Sequence, residues 1–340
     1  MQLFDDISIL RPALTLARGP TAHLERLIDE RAQHVLAVVA YGDTVVSSQA
    51  LLRVDALPLA TEVAPIDVWL AAGAVRGGSL GPASWTTDGN VMFGRVVVDE
   101  TEIDQAAAQR AYEAVFAALY HADCPELLRL WNYVPHINRD GGGLERYRQF
   151  NIGRQNAFLG ANRSAAAGAP AACAVGTTGE ALIVHFLAAR ERPTAIENPR
   201  QVSAYHYPRE YGPRAPTFSR AALARMNNRL LLFISGTASI VGHRSLHAHD
   251  VVAQVRETMD NIAALLHEAN SRLPEPAFSM AALDYTIYIR RAAESAVALD
   301  AFNAIVGKDS HAARAAIIVQ ADICRAELQV EIEANGSGAD

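Results

Sequence analysis

The chain has 340 residues, half of them apolar and one fifth charged, with a mean hydropathy of +0.06 and a formal charge of −7. These values exclude a disordered, collagen-like or membrane-spanning chain and leave room for two hydrophobic cores. All the basic residues except Lys308 are arginine.

Residues 1–90 read as mixed strand and loop without a usable motif. After them the same order of elements occurs twice: strand, long helix, strand, helix, and a closing pair of strands. The first copy runs from VMFGRVVV through a helix from about Glu102 to Tyr120 to the strand LLRLWNYVPHIN. The segment LERYRQFNIGRQNAF follows, and PAACAVGTTGEALIVHFLAA is expected to close the copy as a hairpin. The Ala/Gly-rich stretch 162–170 reads as a surface loop. Residues 197–216, with several prolines and SAYHYPREYGPRAP, read as the connection between copies, where irregular chain often borders a ligand.

The second copy opens with a strand over Leu230–Ser235 and the loop GTASIVGHRSLHAHD. A helix follows whose apolar residues Val251, Val255, Met259, Ile262 and Leu266 keep helical spacing. MAALDYTIYI is an alternating strand, a helix around Ser295–Val306 ends at Gly307, and AAIIVQADIC and ELQVEIEA are two extended runs joined by a polar turn. The fold class is α+β, with two mixed sheets each packed by helices, divided into 1–205 and 206–340, and a pocket expected between the halves.

Charge is unevenly distributed. From Arg139 to Arg229 there are 13 arginines and 6 acidic residues, a local excess of +7 that leaves −14 for the rest. These arginines stand singly, without basic runs interleaved with aromatics, which argues against a nucleic-acid partner and for a small polyanion. A scatter of solvated surface arginines is the plainer alternative. Three cysteines without a CxxC pair, and an acidic rather than basic MQLFDDISIL start, lead to the expectation of a cytoplasmic protein with no membrane segment.

In LQVEIEA, Val330 and Ile332 point to one face of a strand while Glu331 and Glu333 share the other. Cys324, across the turn, falls in the same neighbourhood. A carboxyl group in a cleft acts as a general acid once burial raises its pKa, and guanidinium groups bind carboxylates through bidentate forks. Together they suggest acid-catalysed chemistry on a small dicarboxylate, with Arg146, Arg154, Arg214 and Arg220 as the candidate clamp. An exposed polar strand face beside an inert cysteine would look the same in sequence. His243, His247 and His249 lack the fixed helical spacing of a metal site, and Asp250 there fits a helix start instead, so no metal is expected. The short Gly turns GTASI and GTTGE lack the spacing of nucleotide-binding loops, and no GxSxG elbow is present.

LLLFISGTASIVGH, DVVAQVRETMDNIAALL and VQADICRAELQVEIEA, over about residues 216–335, resemble the small RidA/YjgF family. WNYVPHIN, ERYRQFNIGRQNAF, YGPRAPTFSRA, SGTASIVGH and QADICRAELQVEIEA in this order resemble the chorismatases, which remove the enolpyruvyl group of chorismate as pyruvate. This resemblance implies an enzyme with no metal or organic cofactor, holding chorismate between two RidA-like halves. It places the acid at Glu331, with His185 as the matching position in the first copy.

By the same resemblance, Gly236 and Cys324 are similar to the branch forming 3-hydroxybenzoate, with Cys324 assisting ring opening and aromatisation. Arg146, Tyr147, Arg154, Tyr207 and Arg214 match substrate-binding positions. Hydrolysis to a dihydroxycyclohexadiene carboxylate and a mixed 3-/4-hydroxybenzoate synthase are the alternatives within the family. RidA-like imine hydrolysis, for which only Arg325 or Arg314 offers an arginine, and a non-catalytic RidA-like binding protein lie outside it. The oligomeric state is left open by the sequence.

Overall fold

A computed structural model describes residues 14–59, 65–99 and 104–339. Two seven-stranded sheets form its larger part. One has the order Asp322–Ile323, Ala171–Thr177, Glu126–Pro135, Leu182–Ala189, Val91–Val98, Ala83–Thr87, Arg76–Leu80. The other has the order Pro58–Leu59, Ile317–Gln320, Asp284–Ile289, Val330–Ala339, Arg229–Ala238, Ala221–Met226, Thr194–Ile196. The two orders correspond strand for strand, so the repeat expected from sequence is a repeat of topology.

Each sheet is backed by helices on its outer face. Gln105–His121, capped by the Asp104 side chain on the Ala107 amide, and Arg146–Gly160 cover the first. Val251–Asn270 covers the second and buries Val251, Val255, Met259, Ile262 and Leu266, as helical spacing requires. Asp250 caps it by accepting from the Ala253 amide at 3.0 Å.

The closing segments of the copies are not hairpins. Ala171–Thr177 and Leu182–Ala189 lie on opposite sides of Glu126–Pro135, parallel and antiparallel to it respectively. Ile317–Gln320 and Val330–Ala339 flank Asp284–Ile289 in the same way. Adjacency in sequence suggested pairing, but inserting the middle strand lets all three strands complete their backbone hydrogen bonds.

Residues 14–71, which carry no motif, contain a shortened third copy. Leu14–Pro20, the helix Thr21–Glu30, Val35–Tyr41, Leu51–Val54 and Pro65–Ala71 form a four-stranded sheet in which Val35–Tyr41 pairs parallel with Leu51–Val54 and antiparallel with Pro65–Ala71. That is the pairing of the other two sheets without their outer strands. The three sheets turn their inner faces to one shared core. Trp69 of the short sheet meets Trp131 and Phe93 of the first seven-stranded sheet at 6.3 and 5.8 Å and Phe233 of the second at 6.4 Å.

Register identifies equivalent positions. Tyr41, Tyr133 and Tyr288 occupy matching sites, paired in parallel with Val54, Val175 and Val319. Two residues earlier in each of those strands stand Val39, Trp131 and Thr286, opposite Asp67, His185 and Glu333. The first-copy counterpart of Glu331 is therefore Ile183, since Glu331 faces Tyr288 and Ile183 faces Tyr133. His185 corresponds to Glu333, which corrects the expectation; side chains alternate along a strand, so a match displaced by two residues keeps the inward face and looks equally good in sequence.

The sheets also interleave across residue 205. Pro58–Leu59 and Thr194–Ile196 extend the C-terminal sheet, and Asp322–Ile323 pairs with Ala171–Thr177 of the other. No helix among the described residues is long and apolar enough to cross a membrane.

Candidate active site

A cleft of about 290 Å³ opens where the two large sheets meet, roofed by the connection between copies. Glu331 lies at its inner end, 3% exposed, while Val330 and Ile332 point into the helix-side core. Its neighbouring strand Arg229–Ala238 shifts register between Ile234 and Thr237, and Gly236 sits in that irregularity. A Cβ on Gly236 would meet Cδ of Glu331 at 2.8 Å and Cβ of Cys173 at 2.9 Å. The missing side chain thus makes room for the Glu331 carboxyl group itself.

Burial pushes the Glu331 carboxyl up to about 8, and the nearby charge of Glu333 adds to this. Arg129, a hydrogen bond with Cys324, and Arg220 act in the opposite direction. Glu331 is consequently protonated near neutral pH. Glu333 faces away from the cleft into the three-sheet core, where it accepts from Arg129 Nη2 at 2.5 Å and Trp131 Nε1 at 2.9 Å. Two adjacent carboxyl groups on one strand face are thereby separated by environment, one protonated at the cleft and one ion-paired behind it. His185 is pushed down to about 3, by burial first and then by Arg95, and is neutral.

Cys324 stands on the turn after Asp322–Ile323, within the cleft. Burial, with the Glu331 charge second, raises its thiol to about 12. It is a thiol at neutral pH, able to donate or relay a proton but not to act as a thiolate nucleophile.

Two guanidinium groups face the cleft from its roof side. Arg220 donates through Nη2 to Val202 O and the Tyr207 hydroxyl, both at 2.8 Å, and packs 5.1 Å from the Phe218 ring centre. Arg325 donates through Nη1 to His243 O at 2.9 Å and Ser245 Oγ at 3.0 Å, and stacks on Tyr211 at 3.9 Å and Tyr207 at 5.1 Å. Arg220 Nε and Arg325 Nη2 are buried with no hydrogen-bond partner among the described residues. Buried cationic donors left over beside a cavity suit a carboxylate ligand.

Of the residues singled out in sequence, Glu331, Cys324, Tyr147, Tyr207, Gly236 and Arg220 line this cleft. Arg146, Arg154 and Arg214 do not. Arg146 donates to Pro135 O at 2.9 Å. Arg154 lies two helical turns behind Tyr147, 1% exposed, donating to Asn151 Oδ1 at 2.7 Å and lying 5.0 Å from the Phe150 ring centre. Arg214 is exposed on the connection. Arg146 and Arg154 leave one helix on different faces and Arg214 stands on the irregular connection; motif order says nothing about which face of a helix or which part of a loop meets the cleft.

Arg148, Tyr211 and Phe218, outside the expected set, also line the cleft, together with Arg325, Glu145, Glu210 and Glu327. Arg325, singled out in sequence only for the imine-hydrolysis alternative, stands in the cleft beside Cys324. The histidines are dispersed: His243 hydrogen-bonds Tyr211 at 3.2 Å and His247 meets Glu257 at 3.3 Å.

A helix-backed sheet repeated in one chain, with a buried carboxyl group and two arginines at the junction of two copies, describes a candidate acid–base site built between RidA-like units. The chorismatase FkbO/Hyg5-like N-terminal family matches residues 67–188, and the endoribonuclease L-PSP family matches residues 214–336. A 3-hydroxybenzoate synthase of Streptomyces hygroscopicus is 30% identical, covering 95% of this chain and 99% of its own. A chorismatase from the same organism is 35% identical over 78% of each chain. A crystal structure of a chorismatase superposes with a TM-score of 0.84 at 30% identity, over 96% of this chain and 99% of the other. The chain belongs to the chorismatase family.

Proposed function

We propose that this chorismatase converts chorismate to 3-hydroxybenzoate and pyruvate. The observation that carries the reading is Glu331, a carboxyl group raised to about 8 at the inner end of a cleft that also holds Cys324, Arg220 and Arg325. Chorismate is a dicarboxylate, and the two arginines with unused donors supply counter-charges for it.

In the proposed reaction Glu331 gives its proton to the methylene carbon of the enolpyruvyl ether, leaving an oxocarbenium ion beside the new carboxylate form of Glu331. The ring's own hydroxyl captures the cation. The hydroxyl proton returns to Glu331 as a cyclic ketal forms; the ring carbon–oxygen bond of the former hydroxyl then breaks, its oxygen becomes the carbonyl oxygen of pyruvate, and the original ether oxygen stays on the ring as pyruvate leaves. Aromatisation completes the product, with the Cys324 thiol assisting proton transfer at the ring. The two products together contain the atoms of chorismate with no water added, whereas the diene carboxylate requires one water. Gly236, by letting the Glu331 carboxyl group lie against the strand backbone, sets the depth at which the acid acts.

Three free cysteines support a reducing, cytoplasmic location. The test is chromatography of products after incubation with chorismate. Equimolar 3-hydroxybenzoate and pyruvate are expected; a diene carboxylate without an aromatic product would assign the hydrolytic reaction instead.

A further inference from the structure

Arg290 follows the strand Asp284–Ile289 and lies outside the cleft lining, yet all five of its N–H donors are used. Nε donates to Leu328 O at 2.9 Å. Nη2 donates to Ile323 O and Arg325 O, both at 3.0 Å. Nη1 donates to Asp322 Oδ1 at 2.6 Å and to Asn138 Oδ1 at 3.0 Å. Four of these bonds hold the turn from Asp322 to Leu328, which presents Cys324, Arg325 and Glu327 to the cleft.

The fifth bond leaves the C-terminal copy. Asn138 belongs to the segment after Glu126–Pro135 of the other sheet, and its Nδ2 donates to Glu145 Oε1 at 3.1 Å. From the same segment Ile137 O accepts the Tyr147 amide at 3.0 Å. Glu145 and Tyr147 form the opposite wall of the cleft. Beyond the backbone pairing of Asp322–Ile323 with Ala171–Thr177 at the root of the turn, one guanidinium therefore links the thiol-bearing turn to the facing wall through side chains.

We propose that Arg290 is a positioning residue that sets the separation of the two cleft walls, and through it the choice between ring hydroxyl and water as the captor of the cation. This rests on the chorismatase reading above. With the walls joined, the thiol of Cys324 and the ring of Tyr147 close on the substrate from both sides and exclude water from the cation. Released, the turn moves outward and water enters. Lysine cannot replace Arg290, because an ammonium group has three donors and no planar fork.

The test uses the full-length protein and the variants Arg290→Met, Arg290→Lys and Asn138→Ala. Arg290→Met is expected to lower kcat for pyruvate release about a hundredfold and to send part of the remaining flux to the diene carboxylate. Arg290→Lys stays impaired, and Asn138→Ala, which leaves the turn's own four bonds intact, shifts the product ratio without lowering the unfolding midpoint. Alkylation of Cys324 by iodoacetamide, a readout independent of substrate, is expected to quicken about tenfold in Arg290→Met as the turn loosens.

A folded Arg290→Met with wild-type kcat, product ratio and alkylation rate would overturn the proposal. So would an unfolded Arg290→Met accompanied by a wild-type product ratio in Asn138→Ala. Absence of pyruvate release by the wild type overturns the chorismatase reaction alone; the alkylation rate then still decides whether Arg290 holds the turn.

Discussion

A Cβ placed on Gly236 would overlap Oε1 of Glu331, far inside van der Waals contact. The two residues belong to neighbouring strands, and the register irregularity beside Gly236 lets the carboxyl group lie against bare backbone. Gly236→Ala is therefore expected to push the carboxyl group out toward the cleft rather than merely fill space. We expect a folded protein destabilised by about 1–3 kcal/mol and a changed product ratio from chorismate. A crystal structure of the variant with Glu331 unmoved would contradict this.

Glu331→Gln removes the proton donor while keeping shape and hydrogen bonding. Pyruvate release is expected to fall by at least about 10²–10⁴-fold, the usual contribution of general acid catalysis. Wild-type kcat/KM should decline as pH rises through about 8, the value to which burial raises the carboxyl group. A pH profile flat from 6 to 10 would remove Glu331 from the role.

The same shift bears on stability. The folded state holds the Glu331 proton up to about 8, while the unfolded chain releases it near the ordinary 4.5. Stability from this group is fully present below about 4.5 and is lost progressively as pH rises to about 8. Wild type and Glu331→Gln should therefore differ little at pH 4.5 and diverge in favour of the variant up to pH 8, by an amount on the order of a few kcal/mol. Thermal unfolding of both proteins across that range measures it; a constant difference would show that the carboxyl is already ionised in the fold.

Cys324→Ala is expected to retain pyruvate release and shift products toward hydrolysis. Because burial raises the thiol to about 12, alkylation of the wild type at pH 8 should be slow. Rapid alkylation would indicate a thiolate and a different role.

Arg325→Met should raise KM for chorismate about 10–100-fold with a smaller effect on kcat, as expected for loss of a charge-assisted hydrogen bond. Arg214→Met should change neither, since Arg214 is exposed and outside the cleft. Equal effects from the two would mean that the connection closes over the substrate and brings Arg214 inward.

The sequence by itself determined what depends on local periodicity: the buried stripe of Val251–Asn270, the alternation that puts Glu331 and Glu333 on one strand face, the repeated order of elements, and the ordered motifs that resemble chorismatases. These are readable because helix and strand periods are set by neighbouring residues.

Tertiary structure decided everything that depends on register and on distant strands. It revealed the third copy in residues 14–71, where the outer strands and their motifs are missing but pairing geometry persists. It matched Ile183 rather than His185 to Glu331, a two-residue displacement invisible to alternation. It drew Arg220 and Arg325, from different segments, to one cleft and left Arg146, Arg154 and Arg214 outside it. The basic middle of the chain supplies Arg148 and Arg220 to the cleft, not a whole clamp. The physical reason is common to all three: which inward-facing side chains converge is fixed by how sheets stack on one another, and that stacking follows long-range burial of their apolar faces, which no local pattern records.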